Sequence, residues 1–173
     1  NRIMHQRDSG GTGFVIFGVV NNRININPNG ASPQNGTTII NNGVWYHLAY
    51  TFDGTTFRVY VNGTLDLTTT TGATLGSSIG DFAMGVRKQL DNNTNWVGDM
   101  DNFRIWQVAR TQAEIQANMN CEFADPEVGL YASFQFNEGT AAAANAGETT
   151  LPDSSGNGNA ATLSNFTLSG TSS

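Results

Sequence analysis

Hydrophobic and polar residues alternate most regularly along residues 44–63, VWYHLAYTFDGTTFRVYVNG. The alternating apolar positions of its first half are Val44, Tyr46, Leu48, Tyr50 and Phe52. A period of two places successive side chains on opposite faces of a β-strand. Asp-Gly at residues 53–54 and Asn-Gly at residues 62–63 supply turns, so the stretch predicts a β-hairpin followed by a second turn. Because both faces carry aromatic residues, a second sheet has to cover the hairpin, which predicts a β-sandwich.

Short apolar or alternating runs predict the other elements. Further strands are expected at residues 2–6, 13–20, 23–27, 65–71, 73–75, 81–86 and 100–106, with a hairpin turn at Asn21-Asn22. Residues 13–20, GFVIFGVV, are apolar on both faces, which is typical of a buried strand. One short helix is expected at residues 111–118, because Thr111 with Glu114 three residues later forms a capping-box pattern. The predicted fold class is therefore all-β, with one short helix.

Composition limits the size, the partners and the location of the protein. A chain of 173 residues, 13% charged and rich in Asn, Thr, Ser and Gly, suits one domain of short strands and tight turns. The net charge of −6 gives no electrostatic reason to expect nucleic acid or an anionic membrane as a partner. No run reaches the roughly 18 apolar residues of a membrane span, so membrane insertion is not expected. No signal-peptide pattern opens the chain, and we interpret it as a piece of a longer secreted protein.

The single cysteine, Cys121, cannot form a disulfide within this chain. Either its partner lies outside these residues, or the side chain is a small buried hydrophobe. No Cys/His cluster accompanies it that would indicate a metal site.

Two motifs follow one another in order along the chain. The first is W-x-H-x-A-x-T-x-D-G at residues 45–54, continued by V-N-G at residues 61–63. The second is G-x-x-D-x-x-R-I-W at residues 98–106, continued by E-I at residues 114–115. Both resemble laminin-G-like modules (LamG or pentraxin type) of the concanavalin A-like lectin/glucanase superfamily. The resemblance implies a concanavalin A-like jelly-roll sandwich of two antiparallel sheets.

The tail, residues 121–173, resembles the opening segment of such a module, although here it comes last. The resemblance lies in VGLYASFQFNE at residues 128–138 and LPDSSGNGNAATL at residues 151–163. The tail either begins or braces a neighbouring module, or folds back into the same sandwich. We favour the second interpretation, a single domain over residues 1–173, because unpaired aromatic residues would be poorly tolerated. These residues are Tyr131, Phe134, Phe136 and Phe166.

Catalysis is not expected. The glucanase branch of the superfamily places closely spaced acids, E-x-D-x-E or E-x-D-x-x-E, on one strand. Asp99 and Asp101 alternate onto one face, but no Glu follows in residues 102–110. His5 is isolated and His47 belongs to the strand motif, so neither indicates a catalytic triad.

A calcium ion is implied by the resemblance at residues 153–159, DSSGNGN. Ca²⁺ prefers six to eight oxygen ligands, and this glycine-bent loop concentrates carboxylate, amide and carbonyl oxygens. In similar modules such a loop can lie near the Asp of the second motif. The implied ligands are Asp101, Asp153, Asn157 and Asn159. The alternative is a tight Asx-turn without an ion.

A ligand site is expected on the loop at residues 89–96, QLDNNTNW, since lectin-like sandwiches bind through rim loops. The candidate residues are Asp91, Asn93, Asn95 and Trp96. The alternatives are an ordinary solvated turn and a Trp96 that belongs to the core. These features favour a non-catalytic extracellular recognition module for a glycan or another cell-surface polymer, joined to neighbouring domains, as in secreted bacterial surface proteins. The other interpretations are a structural spacer repeat rigidified by calcium, and a hydrolase whose acids the motifs do not reveal.

Overall fold

The computed structural model describes residues 1–8, 14–28, 32–70, 79–86, 95–123, 127–138, 145 and 147–164. The chain forms two compact units, residues 1–98 with 109–119 and residues 99–108 with 120–173. The first unit contains β1 (Arg2–Asp8), β2 (Phe14–Val20), β3 (Arg23–Pro28), β4 (Gln34–Ile39), β5 (Leu48–Phe52), β6 (Thr56–Val61), β7 (Thr64–Thr70), β8 (Ile79–Met84) and α1 (Gln112–Asn118). The second contains β9 (Phe103–Trp106), β10 (Leu130–Phe134), β11 (Thr150–Leu151) and β12 (Ala161–Thr162).

The first unit has two antiparallel sheets. One has five strands in the order β4-β3-β2-β1-β8, and the other has three in the order β5-β6-β7. Asn21 and Asn22, with φ of 51° and 57°, form the turn between β2 and β3, and Asn62 and Gly63, at 49° and 73°, form the turn between β6 and β7. Asn and Gly tolerate this left-handed conformation, and hairpins require it, so the predicted turns are confirmed.

Aromatic rings join the two sheets of the first unit. Tyr50 of β5 contacts Phe17 of β2, with ring centroids 5.4 Å apart, and Phe57 of β6 at 6.2 Å. Phe52 stacks on Phe57 at 4.2 Å. Burial raises the pKa of the Tyr50 hydroxyl, which donates to the Gln6 side chain. Other buried apolar residues lie on the same sheet faces as these rings, namely Met4, Val15, Ile24, Ile26, Val59 and Val61.

The predicted strand at residues 44–52 is too long at its start. β5 begins at Leu48, which pairs with Val61, the last residue of β6. After the bond from Asn62 N to His47 O, the turn at residues 62–63 carries the partner strand away, so residues 44–46 have no residue of β6 to pair with. The prediction at residues 100–106 is also long, since β9 begins at Phe103, and residues 73–75 lie outside the described residues.

Asp66 of β7 joins the two sheets of the first unit by hydrogen bonds to β4, and this contact is called the Asp66 clamp below. Its carboxylate accepts hydrogen bonds from Thr37 N and Oγ1, at 3.1 and 2.8 Å, and from Thr38 N and Oγ1, at 2.9 and 2.6 Å. Gly36 permits this approach, because a Cβ there would collide with Asp66 Oδ2. Partial burial alone would raise the pKa of Asp66, but the four hydrogen bonds hold it below its ordinary value of 3.8.

We therefore expect the Asp66 clamp to weaken in acid. A carboxylate whose pKa is lower in the folded than in the unfolded chain stabilises fully above its unfolded pKa, and loses that contribution as pH falls through the folded pKa. The free energy of unfolding of wild type should decline below about pH 3.8. The decline should be less steep in Asp66→Asn. At neutral pH the free energy of unfolding of this variant should be lower than that of wild type by about 1–2 kcal/mol. Urea titrations at several pH values measure how the free energy of unfolding changes with pH in wild type and in the variant. Equal slopes for the two proteins would contradict the clamp.

The helix confirms its predicted cap. Thr111 is the N-cap of α1, and it forms a reciprocal capping box with Glu114. The amides of Gln112 and Gln116 donate to Gly63 O at 3.0 and 2.9 Å, which anchors α1 to the turn between β6 and β7. No helix among the described residues has the length and apolar character needed to span a bilayer.

The second unit pairs the tail with the second motif. β10 runs antiparallel to β9, with Leu130 opposite Trp106 and Phe134 opposite Phe103. Phe123 meets Trp106 edge to face at 5.7 Å and lies under the Arg104 guanidinium, 4.6 Å from its ring centre. Cys121 is exposed, so the interpretation of this residue as a buried hydrophobe is wrong.

Candidate functional site

The candidate ligand residues of the rim loop are described only in part. Asp91 and Asn93 lie outside the described residues. Asn95 is exposed, whereas Trp96 is half-buried and its backbone N–H donates to Gly85 O at 2.7 Å. The indole covers Gly98, where an added Cβ would lie 3.3 Å from Trp96 Nε1. Trp96 therefore packs on Gly98 and leaves part of its ring in solvent. The assignment of Asp91, Asn93, Asn95 and Trp96 as a ligand site stays a prediction.

The predicted calcium loop is organised around the carboxylate of Asp153. Oδ1 accepts from Ser133 N and Ser155 N, each at 2.9 Å. Oδ2 accepts from Ser155 Oγ and Asn159 N, each also at 2.9 Å. A carboxylate offers about four lone-pair sites, and these four donors use them. Asp153 thus holds its own loop closed and ties it to Ser133 in β10.

The two asparagines of the loop, Asn157 and Asn159, also bond to β10. Asn157 Nδ2 donates to Leu130 O at 2.8 Å and Tyr131 O at 3.1 Å, and Asn159 Nδ2 donates to Tyr131 O at 2.8 Å. β10 pairs with β9, and these side chains satisfy backbone groups that an edge strand would otherwise leave unpaired. The loop therefore acts as a side-chain cap on the edge of β10.

These residues do not fit a calcium site in this arrangement. The Asp153 oxygens face four donors, and Asn157 and Asn159 direct amide nitrogens, which cannot bind a cation, at backbone carbonyls. Asp101 is exposed, and its oxygens accept from the N–H and amide of its neighbour Asn102. The described residues contain no group of three or more His, Cys, Asp or Glu placed to hold a metal. The geometry is that of the Asx-turn alternative, and calcium stays a prediction.

Hydrogen bonding also sets the ionisation of Asp153. Partial burial alone would raise its pKa, but the bonds from Ser133, Asn159 and Ser155 lower it below the ordinary value. The side chain is therefore a carboxylate at neutral pH without help from a cation.

The sequence prediction missed the exposure of Trp45, because it assigned residues 44–47 to a strand. Trp45 is 66% exposed, whereas Trp96 and Trp106 are half-buried. One signal was present in the sequence: the Asn-Gly turn at residues 62–63 limits the length of the partner strand.

Curated relatives share part of this chain. Human pappalysin-1 is 33% identical over 81 residues, which are 44% of this chain and 5% of that protein. Human usherin is 37% identical over 75 residues, which are 41% of this chain and 1% of that protein. The chain thus spans a small fraction of the length of these relatives.

A solved structure and a family model cover more of the chain. The structure, a candidate carbohydrate-binding protein from Bacteroides ovatus ATCC 8483, superposes over 95% of this chain and 47% of that chain with a TM-score of 0.69 and 22% identity. The strands of the structure and this likeness of fold confirm the predicted all-β class, and the family model confirms that it is concanavalin A-like. The family model matches residues 1–116, more than half of the chain. The chain therefore belongs to the Laminin_G_3 family of the concanavalin A-like lectin/glucanases superfamily.

Proposed function

We propose that this chain is a non-catalytic recognition module that binds a glycan or a related surface polymer outside the cell. The observation that carries the proposal is the match of residues 1–116 to a family of concanavalin A-like lectins and glucanases. A protein with the same fold is described as a candidate carbohydrate-binding protein, and the proposal extends that ligand class to this chain.

Four of the described carboxylates serve structural contacts and not hydrolysis. Glycoside hydrolysis needs a general acid with a raised pKa. Four carboxyl groups have a pKa held below the ordinary value, namely Asp53, Asp66, Glu114 and Asp153. The Arg58 guanidinium, 2.6 Å from the Asp53 carboxylate, is the main reason that the pKa of Asp53 is lowered. The hydrogen bond from the Thr111 N–H is the main reason that the pKa of Glu114 is lowered. These four groups serve turns, caps and sheet contacts, and none supplies the acid.

The proposal extends to the location and the partners of the module. The proposal places the module in a secreted or cell-surface protein, beside other domains of the same chain. Calcium is a separate hypothesis, because the Asp153 loop is held by hydrogen bonds and the proposed recognition does not depend on an ion.

Affinity electrophoresis tests this function. The protein would be run through gels containing one soluble polysaccharide each, with a reducing-end assay on the same mixtures. We expect retarded migration in at least one neutral polysaccharide and no release of reducing ends. Release of reducing ends would show a hydrolase. Unretarded migration of the folded protein in every gel would favour the alternative, a spacer repeat with no ligand of its own.

A further inference from the structure

The surface around Trp45 departs from the usual placement of large apolar side chains. Trp45 is 66% exposed and its neighbour Val44 is 55% exposed. Tryptophan is highly buried on average, and adjoining exposed apolar residues often mark a binding surface. Residues 41–47 are called the Trp45 loop below.

Hydrogen bonds hold the Trp45 loop at both ends. Before it, Ile40 N donates to Asn22 O at 2.8 Å. At its far end, His47 N donates to Asn62 Oδ1 at 2.8 Å, and Asn62 N donates to His47 O at 2.8 Å. The loop is thus tied to the turns that end two hairpins of the first unit.

A further contact closes the Trp45 loop on itself. The Tyr46 hydroxyl oxygen accepts from Asn41 N at 3.2 Å and from Asn41 Nδ2 at 3.4 Å. Since the oxygen accepts both bonds, its own O–H is left to donate to a ligand. A loop fixed in this way displays Trp45 at a reduced ordering cost on binding, since its backbone is already held.

The chemistry of the Trp45 loop matches a neutral sugar. The loop is NNGVWYH and contains no Asp, Glu, Lys or Arg. Asn41 and Asn42 are exposed, the Asn41 amide nitrogen bonds to the Tyr46 hydroxyl, and that hydroxyl and the Asn42 amide remain as polar groups at the edge of the loop. The apolar C–H face of a pyranose stacks on an indole, while amide and hydroxyl groups exchange hydrogen bonds with sugar hydroxyls. A nucleic acid would require basic residues that the loop lacks.

We propose that Trp45 is the stacking platform of a subsite for one pyranose of a neutral glycan, with Asn42 and the Tyr46 O–H as its polar contacts. This inference rests on the proposed function and deepens it by naming the ligand class and the site. The site lies outside the rim loop at residues 89–96, so substitutions separate the two.

Isothermal titration of the full chain with neutral hexasaccharides of glucose, xylose, mannose and galactose, and with an acidic hexasaccharide of galacturonic acid, tests the Trp45 subsite. For the hexasaccharide that wild type binds most tightly, Trp45→Ala should raise Kd about tenfold or more. Trp45→Phe keeps an aromatic face and should have an intermediate Kd. Val97→Ala alters another apolar residue, 81% exposed, and should leave Kd unchanged. Melting temperatures should stay close to that of wild type, because Trp45 buries little surface.

The outcomes distinguish this inference from the proposed function. Wild-type binding that Trp45→Ala leaves unchanged, while Asn95→Ala weakens it, would overturn the Trp45 subsite and keep glycan recognition. Binding only to acidic saccharides, with loss on adding salt, would also overturn it. No binding of any hexasaccharide by folded wild type would overturn the Trp45 subsite, and migration in the polysaccharide gels would then decide the proposed function separately.

Discussion

Replacing Asp153 with alanine is expected to lower the free energy of unfolding by about 3 kcal/mol, whether or not calcium is present. The substitution leaves the N–H groups of Ser133, Ser155 and Asn159 without the carboxylate that accepts from them at 2.9 Å. A hydrogen bond to a charged group contributes about 1.5–3 kcal/mol, and the shared carboxylate makes the contributions less than additive. Urea denaturation of wild type and variant, with calcium and with chelator, measures the loss.

Asp101→Ala is the matched control for the loop, because Asp101 is exposed and bonds only to its neighbour Asn102 among the contacts described. Its effect should stay within about 0.5 kcal/mol. The opposite result would be a wild-type melting temperature that falls on chelation, with no such fall in Asp153→Ala. That result would establish the predicted calcium site and contradict a loop held by hydrogen bonds alone.

Phe57→Ala should destabilise the first unit by about 4 kcal/mol, because the ring fills the space between the two sheets. Phe57 has 0% exposure, stacks on Phe52 at 4.2 Å and contacts Tyr50 at 6.2 Å. Removing the ring forfeits its buried area, leaves a cavity and takes one aromatic contact from each of Phe52 and Tyr50. Differential scanning calorimetry should record a melting temperature lower by about 10 °C.

Two variants serve as controls for the loss of stability in Phe57→Ala, namely Phe57→Leu and Val97→Ala. The leucine keeps much of the buried volume and should cost less than half as much as alanine. Val97 is 81% exposed, so its truncation should change little. A loss below about 1 kcal/mol in Phe57→Ala would show that the space collapses or that the ring is not at the centre of the core.

Local chemistry carried much of the fold prediction. Asn21-Asn22 and Asn62-Gly63 are turns because these residues accept positive φ, a property that does not depend on distant neighbours. The capping box of Thr111 and Glu114 lies within one helical turn and is equally local. Apolar alternation located β5 and β6, because the period of two reports which face of a strand is buried.

Features that depend on tertiary neighbours could not be predicted in the same way. Residues 44–47 continue the alternation, but a strand needs a partner, and β6 ends at Val61. The DSSGNGN loop carries side chains that suit either a cation or a backbone. The sequence does not reveal where β10 lies, and in the structure the N–H and carbonyl groups of β10 lie within 3.1 Å of Asp153, Asn157 and Asn159. Trp45 is exposed because it precedes β5, at a point where β6 no longer provides a partner strand.

A glycan-array screen of the folded chain tests glycan recognition most directly. The array would carry neutral and acidic oligosaccharides and would be read in calcium and again after chelation. We expect selective, saturable binding to a family of related neutral glycans, with the same pattern in both conditions. Uniform background on every glycan in both conditions, from protein with a cooperative unfolding transition, would contradict glycan recognition and leave a structural spacer.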